Sequence, residues 1–167
     1  MPRLCRSGGF TLLEIVLVVL ILGVLSLAVA PVIGRVVGQT GIKTEAMQLA
    51  EDIRYTQHSA LSEGQMFRLE LNKNSGAYLV YAYDPDADPS DPRDVRKDMA
   101  MGDSVTGISS SFPADGDNPN ISYITYLATG SPSAEGVPGP WTITLTNDSG
   151  GSVSVIVALG TGRVRVQ

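Results

Sequence analysis

Gly8-Gly9-Phe10-Thr11-Leu12-Leu13-Glu14-Ile15 decides the fold of this chain, because it joins a short Arg-bearing leader to a long apolar segment. It places one carboxylate, Glu14, at the head of residues that carry no other charge. An ionisable group in an apolar helix is costly to desolvate, and where one occurs it usually has a functional partner. We therefore expect Glu14 to pair with a group of opposite charge when the protein works.

The apolar segment is long enough to cross a bilayer. It runs uncharged from Ile15 to Gly34 for about 20 residues, which as a helix span roughly 30 Å. Arg3 and Arg6 are the charged residues ahead of Glu14, and positive residues before a first span favour a cytoplasmic N-terminus. The sequence therefore predicts a single-pass protein with its N-terminus in the cytoplasm and the rest of the chain beyond the membrane.

The apolar segment also has two simpler interpretations. A secretory signal peptide would be cleaved at a small-x-small site near Ala28 or Ala30, but its apolar region is usually about 7 to 15 residues long. An ordinary membrane anchor accounts for the length, yet it gives Glu14 no role. The joint pattern of glycines, Phe10 and Glu14 favours a processed leader over both.

Gly9-Phe10-Thr11-Leu12-Leu13-Glu14 resembles the processing motif of class III signal peptides, which type IV pilins and type II secretion pseudopilins share. The resemblance implies that a prepilin peptidase cuts between Gly9 and Phe10 and N-methylates Phe10, while the apolar helix stays in the mature protein. It also implies further partners, namely other pilin or pseudopilin subunits and an inner-membrane assembly platform. The implied location is the bacterial inner membrane, with the globular domain in the periplasm.

The same resemblance implies a partner for Glu14. After cleavage Glu14 is the fifth residue, where the family keeps a carboxylate that is thought to meet the N-terminal amine of a neighbouring subunit. Opposite charges attract strongly in a medium of low dielectric, so such pairing recovers part of the desolvation cost. We hypothesise that this pairing makes assembly favourable and fixes its register.

Composition disfavours several classes of function. The chain has 12 Lys and Arg against 17 Asp and Glu, a formal net charge of −5, which argues against nucleic acid as a partner. Its one cysteine, Cys5, lies in the leader, so we expect neither a disulfide nor thiol chemistry in the mature protein. Its one histidine, His58, falls on a predicted helix, where we expect it to cap or pack. No enzyme motif accompanies it, and we expect a protein that is not an enzyme.

Past Gly34 the pattern changes from uniformly apolar to amphipathic, which predicts that the helix continues outside the membrane. The predicted buried stripe comprises Ala46, Leu49, Ala50, Ile53, Gln57, Ala60 and Leu61. Pro31 and Gly34 mark where the long helix is most easily broken, because proline removes a helical hydrogen bond and glycine is conformationally free. The predicted domains are a leader (1–9), an apolar membrane and assembly helix (10–37), its amphipathic continuation (38–64) and a β-rich globular domain (65–167).

The remaining chain alternates apolar and polar residues in the manner of β-strands. Two hairpins are predicted, one from Phe67 to Tyr83 and one from Trp141 to Val157, with further strands at Ile121–Leu127 and Arg163–Val166. One long helix followed by at least five strands implies an α+β fold, with the helix packed on an antiparallel β domain of two sheets. This arrangement resembles the GspH/FimT group of minor pseudopilins and minor pilins.

An acidic loop, Asp84-Pro85-Asp86-Ala87-Asp88-Pro89-Ser90-Asp91, holds the candidate metal site. Its carboxylates, at Asp84, Asp86, Asp88 and Asp91, are the oxygen ligands that Ca²⁺ prefers. The loop departs from an EF-hand, because Pro89 stands at the required glycine and Val95 at the terminal glutamate. A calcium site and a solvated acidic loop are the two alternatives.

These observations predict a structural subunit. The leading hypothesis is a minor pseudopilin of a type II secretion pseudopilus, whose helix forms the filament core. The alternative is a minor type IV pilin involved in pilus assembly, since both classes use the same leader and helix. A pilin for DNA uptake is less favoured, because the C-terminal end of an acidic domain offers only Arg163 and Arg165 as a basic pair.

Overall fold

The computed structural model describes residues 11–87, 93–133 and 139–167, with the backbone alone for residues 27–38. Gly9 and Phe10, the predicted cleavage and methylation residues, lie outside the described residues, as do Asp88 and Asp91 of the acidic loop. The chain divides into two compact units, Met1–Val37 and Gly38–Gln167.

The described part of the first unit is helical from Leu12 onward. Helix α1 runs Leu12–Glu63, so it starts in the first unit and ends in the second. The helix is unbroken at Pro31 and Gly34, and the predicted break is therefore not seen in this structure. A single proline removes one hydrogen bond of the helical ladder, which the remaining bonds on either side tolerate. Local melting of this segment stays a prediction.

The uncharged run Ile15–Gly34 is the segment for which the sequence predicts membrane insertion. Among the described residues, the structure contains no helix that is both long enough and apolar enough to cross a membrane.

The second unit holds two antiparallel sheets. The strands in its described part are β1 (Phe67–Asn72), β2 (Ala77–Ala82), β3 (Asp94–Ala100), β4 (Gly107–Ser110), β5 (Ile121–Tyr126), β6 (Pro132–Ser133), β7 (Trp141–Thr146), β8 (Ser152–Val157) and β9 (Val164–Val166). The first sheet has the order β3-β2-β1-β5-β6 and the second the order β4-β7-β8-β9. The predicted α+β fold, with a helix on a two-sheet antiparallel domain, is confirmed.

Strand β1 shows how the first sheet acquires two different faces. Phe67, Leu69 and Leu71 are fully buried, whereas Arg68 and Glu70 alternate with them and lie on the opposite face. The buried face joins the C-terminal half of α1 and the second sheet in one apolar core. On the other face, β1 presents the polar side chains of Arg68 and Glu70.

The predicted stripe of α1 is largely correct. Its members Ala46, Leu49, Ala50, Ile53 and Ala60 are fully buried in that core. The prediction is wrong for Leu61, which is 54% exposed. The Leu61 side chain lies over the turn that follows β5, where a Cβ placed on Gly130 would be only 2.6 Å from Leu61 Cγ. Leu61 therefore covers the outside of a turn instead of entering the core.

Strands β3, β4 and β6 are additions to the predicted set. Strand β3 lies at the edge of its sheet, and most of its residues are exposed, so it has no buried apolar face to reveal it in the sequence. Strand β3 carries several charged side chains, and its pairing with β2 shifts register between Val80 and Tyr81 of β2. Both features are typical of sheet edges that resist pairing with other chains.

Candidate assembly helix

The described helix begins at a cap formed by Thr11. Its Oγ1 accepts a hydrogen bond from the backbone amide of Glu14 at 3.3 Å, and its carbonyl oxygen accepts from the amide of Ile15 at 3.3 Å. Thr11 and Glu14 have the Ser/Thr-x-x-Glu spacing of a capping box. The cap therefore has a local signal in the sequence itself.

Glu14 lies exposed in the first turn of α1. A negative side chain at this end of a helix interacts favourably with the helix macrodipole, by about 0.3 to 1 kcal/mol. That gain is small beside the cost of holding a carboxylate in hydrocarbon, which is about 2.5 kcal/mol or more at the centre of a membrane helix. The helix dipole therefore stabilises the Glu14 carboxylate only in part and leaves it open to a partner.

The surface of α1 from Leu12 to Leu25, which surrounds Glu14, is apolar on every side of the helix. The exposed apolar residues are Leu12, Leu13, Ile15, Val16, Leu17, Val18, Val19, Leu20, Ile21, Leu22, Val24 and Leu25. The hydroxyl of Ser26 donates to the carbonyl oxygen of Leu22 at 2.8 Å and so is satisfied within the helix. A helix that is apolar all round is normally covered by lipid or by other helices.

The C-terminal half of α1 is joined to the first sheet through Asp52, which is 3% exposed. The Tyr78 hydroxyl of β2 donates to Asp52 Oδ2 at 2.7 Å, and Lys97 Nζ of β3 forms an ion pair with Asp52 Oδ1. Burial, and then the neighbouring carboxylate, raise the pKa of Tyr78 well above its ordinary value. Asp52 thus joins the helix to strand β2 and also contacts the edge strand β3.

Sequence reasoning missed Asp52, although a signal for it exists. Asp52, Thr56 and Ser59 are all buried, and they recur at steps of four and three along α1. This spacing places the three residues in a second, polar stripe of α1 beside the apolar one. The Thr56 hydroxyl donates to the carbonyl oxygen of Asp52 at 2.7 Å.

The same half of α1 is joined to the second sheet by Arg54 and Gln57. An Arg54 guanidinium N–H donates to the carbonyl oxygen of Val164 in β9 at 3.0 Å. Gln57 Nε2 donates to the carbonyl oxygen of Thr161 at 2.9 Å and to that of Gly130 at 2.8 Å. The sequence pattern assigns Gln57 to the apolar stripe, but its role is to hold two turns, one from each sheet.

The other candidate residues do not converge on a chemical centre. His58 is exposed on α1, and Arg163 and Arg165 are exposed at the C-terminal end. Asp84 Oδ1 accepts a hydrogen bond from the backbone amide of Asp86 at 3.0 Å, so that carboxylate shapes its own turn. Over residues 11–87, 93–133 and 139–167, no cluster of three or more potential ligands could hold a metal ion. Calcium binding stays a prediction, because two of its four ligands lie outside those ranges.

The sequence matches the family model described as type II transport protein GspH over residues 45–161. The chain belongs to the GspH family. The match begins at Glu45, well beyond the motif Gly9–Glu14, so the motif and the GspH match support the same assignment independently. A comparison with curated proteins finds no match.

Two solved structures share the fold of this GspH-family chain. The type IV minor pilin FimU of Pseudomonas aeruginosa strain PAO1 has a TM-score of 0.52 and 12% sequence identity, with 75% of this chain and 91% of FimU covered. The minor pseudopilin EpsH from the type 2 secretion system of Vibrio cholerae has a TM-score of 0.50 and 12% identity, with 76% of this chain and 96% of EpsH covered. The chain is thus a pilin-like subunit of a family that is associated with pili and pseudopili.

Proposed function

We propose that this protein is a minor pseudopilin, a structural subunit of a type II secretion pseudopilus without enzymatic activity. The proposal depends chiefly on the GspH match over residues 45–161, because GspH is described as a type II transport protein. The apolar surface of α1 from Leu12 to Leu25 supports it, because this surface needs a covering of lipid or neighbouring helices. Assembly with other pilin subunits provides such a covering.

The proposal includes processing and membrane insertion. A prepilin peptidase removes residues 1–9 and N-methylates Phe10, and the uncharged run Ile15–Gly34 holds the subunit in the inner membrane with residues 38–167 in the periplasm. The Gly9–Glu14 motif and the position of Arg3 and Arg6 support this part. Intact-mass analysis of the protein purified with and without prepilin peptidase tests it. The expected product starts at a methylated Phe10, and an unprocessed chain in the presence of the peptidase would contradict it.

Assembly in this proposal is driven by Glu14. Before assembly its carboxylate has the favourable helix dipole, and after assembly it also has the amine of a neighbouring Phe10. The pairing is strongest where water is excluded, which ties the ion pair to correct helix packing.

A minor type IV pilin is the second candidate, and the likeness to FimU favours it. The FimU and EpsH structures match this chain about equally well, with TM-scores of 0.52 and 0.50. Deletion of the gene, followed by complementation, separates the two functions. A secretion pseudopilin is expected to restore export of periplasmic substrates without affecting surface pili. Restored piliation with unchanged secretion would favour the pilus subunit instead.

A further inference from the structure

Strand β3 is attached to the globular unit with little apolar burial. It forms one edge of the first sheet, where β2 is its neighbour. None of its 7 residues is fully buried, whereas β1 buries Phe67, Leu69 and Leu71. The half-buried Met99 packs against the apolar core. Contacts other than core packing therefore hold most of β3 in place.

Two cations of β3 pair with carboxylates of α1. Arg96 Nη2 lies 3.0 Å from Oε2 of Glu63, at the end of the helix. Lys97 Nζ forms an ion pair with Asp52 Oδ1, and it lies 4.4 Å from the centre of the Tyr55 ring. The edge strand is thus attached to two different points of the same helix.

The residue directly before β3 adds a third ion pair. Arg93 Nη1 lies 2.9 Å from Glu70 Oε2 of β1, and Arg93 Cζ lies 4.9 Å from the centre of the Tyr81 ring. Arg93, Arg96 and Lys97 therefore each pair with a carboxylate of another element. We call residues 93–100 the strap, because charges attach this segment to the surface of the unit.

The ion pairs of the strap are individually weak. The side chains of Arg93, Arg96 and Lys97 are 52%, 36% and 34% exposed, so water and salt screen their charges in part. A segment with few buried apolar contacts can open locally while the core stays folded. We therefore expect the strap to open more readily than a strand with a buried apolar face, and more readily still at high salt.

The strand beneath the strap has a composition that favours pairing between chains. Strand β2 (Ala77–Ala82) reads Ala-Tyr-Leu-Val-Tyr-Ala, without charge, proline or glycine. Segments of this length and composition pair readily with copies of themselves when an edge is free. In the closed structure β1 and β3 occupy the two edges of β2. Opening of the strap frees one of these edges.

We propose that the strap is a releasable cover, closed by its ion pairs, and that its opening lets β2 pair with β2 of a second copy. The closed edge resists such pairing, because β3 carries charged side chains and its register with β2 is shifted at one point. The exposed edge of β2 has neither feature. The proposal does not depend on which filament the subunit joins.

Hydrogen–deuterium exchange followed by mass spectrometry tests the opening, on the full chain in detergent. Peptides of β3 are compared with those of β8 (Ser152–Val157), whose valines Val155 and Val157 are fully buried. We expect faster exchange in β3, and a further rise of about two- to fivefold in β3 alone when NaCl is raised from about 0.05 M to about 1 M.

Variants of one ion pair show whether the charges close the strap. Arg96→Gln and Glu63→Gln are each expected to speed exchange in β3 by about two- to fivefold. The double variant should exchange no faster than Arg96→Gln, because both substitutions remove the same pair. Arg165→Gln alters an exposed arginine of β9 and is the matched control. It should leave exchange in β3 unchanged.

Thioflavin T fluorescence, recorded in the same detergent, tests the consequence of opening. We expect Arg96→Gln to form thioflavin-positive aggregates faster than wild type and Arg165→Gln, because the edge of β2 is free for more of the time. The proposal is overturned if β3 exchanges as slowly as β8, or if neither Arg96→Gln nor Glu63→Gln changes its exchange. Faster exchange without faster aggregation would refute the role of β3 as a cover.

Discussion

Gln57 Nε2 lies 2.8 Å from the carbonyl oxygen of Gly130, across the boundary between helix α1 and the first sheet. The same nitrogen donates to the carbonyl oxygen of Thr161 at 2.9 Å, in the turn that leads to the last strand of the second sheet. One side-chain amide thus joins three parts of the globular unit. This explains why a polar residue occupies the helix stripe that packs on the sheets.

We predict that Gln57→Ala destabilises the globular unit by about 1 to 3 kcal/mol, because two hydrogen bonds are lost together. Gln57→Glu is expected to be at least as harmful, since a carboxylate would face two carbonyl oxygens. Gln48→Ala, an exposed glutamine on the same helix, is the control. Thermal unfolding followed by circular dichroism measures the three variants, and equal effects at Gln48 and Gln57 would contradict the assignment.

A second prediction concerns the turn beneath Gln57. Gly162 has φ +66°, and a Cβ placed there would be 2.7 Å from Gln57 Nε2 and 2.8 Å from Tyr126 Cε1. We expect Gly162→Ala to cost about 2 to 4 kcal/mol, from the left-handed backbone and the steric overlap together.

Gly150→Ala separates the cost of the left-handed backbone from the cost of steric overlap. Gly150 has φ +76°, and a Cβ added there would meet nothing within 4 Å, so only the backbone cost of about 1 to 2 kcal/mol applies. Chemical denaturation of both variants gives the comparison. A Gly150 variant that loses as much stability as the Gly162 variant would show that crowding at Gln57 is unimportant.

A third prediction concerns the buried carboxylate Asp52. Asp52→Ala leaves the Tyr78 hydroxyl without its acceptor, and we expect a loss of about 2 to 4 kcal/mol. Lys97 contributes little to this figure because its side chain is 34% exposed. Glu51→Ala removes a neighbouring carboxylate that is 70% exposed and should cost under about 1 kcal/mol. A loss at Glu51 that matched the loss at Asp52 in urea denaturation would refute this assignment.

A fourth prediction follows from the buried tyrosines. Burial raises the pKa of Tyr81 to about 12, and burial likewise raises the pKa values of Tyr78 and Tyr126 above the ordinary 10.0. The folded state therefore holds these protons more tightly than the unfolded state. The contribution of these tyrosines to the free energy of unfolding is fully present below pH 10. It falls as pH rises from 10 to 12, by up to about 1.4 kcal/mol per pH unit for each tyrosine.

Tyr126→Phe should make this alkaline decline shallower, because one titrating group is removed. The free energy of unfolding of this variant and of the wild type is measured by urea denaturation between pH 8 and pH 12. If Tyr126→Phe kept the wild-type slope, Tyr126 would not contribute to the decline.

The elements that can be predicted from the sequence are those whose burial repeats with a regular period. Leu69 and Ile143 each stand in strands with one buried face, and Leu49 and Ile53 stand in a helix with a buried stripe. The period of burial alone identifies such elements. Edge strand β3 escapes prediction because most of its residues are exposed, so its polar sequence shows no period.

Polar contacts between distant segments are harder to predict. Asp52 is placed by Tyr78 and Lys97, and Gln57 by two backbone carbonyls far along the chain. Such partners are known only when the sheets are assembled. The Thr11–Glu14 cap, in contrast, is a local motif that is readable in the sequence.

The role of Glu14 in assembly can be measured through the incorporation of Glu14→Ala into filaments. We predict normal cleavage after Gly9 with loss of the variant from the sheared filament fraction, measured by immunoblotting beside wild type. Thr11→Ala weakens the helix cap but keeps the carboxylate, so it should assemble nearly as wild type. Normal incorporation of the processed Glu14→Ala protein would show that assembly does not need this carboxylate.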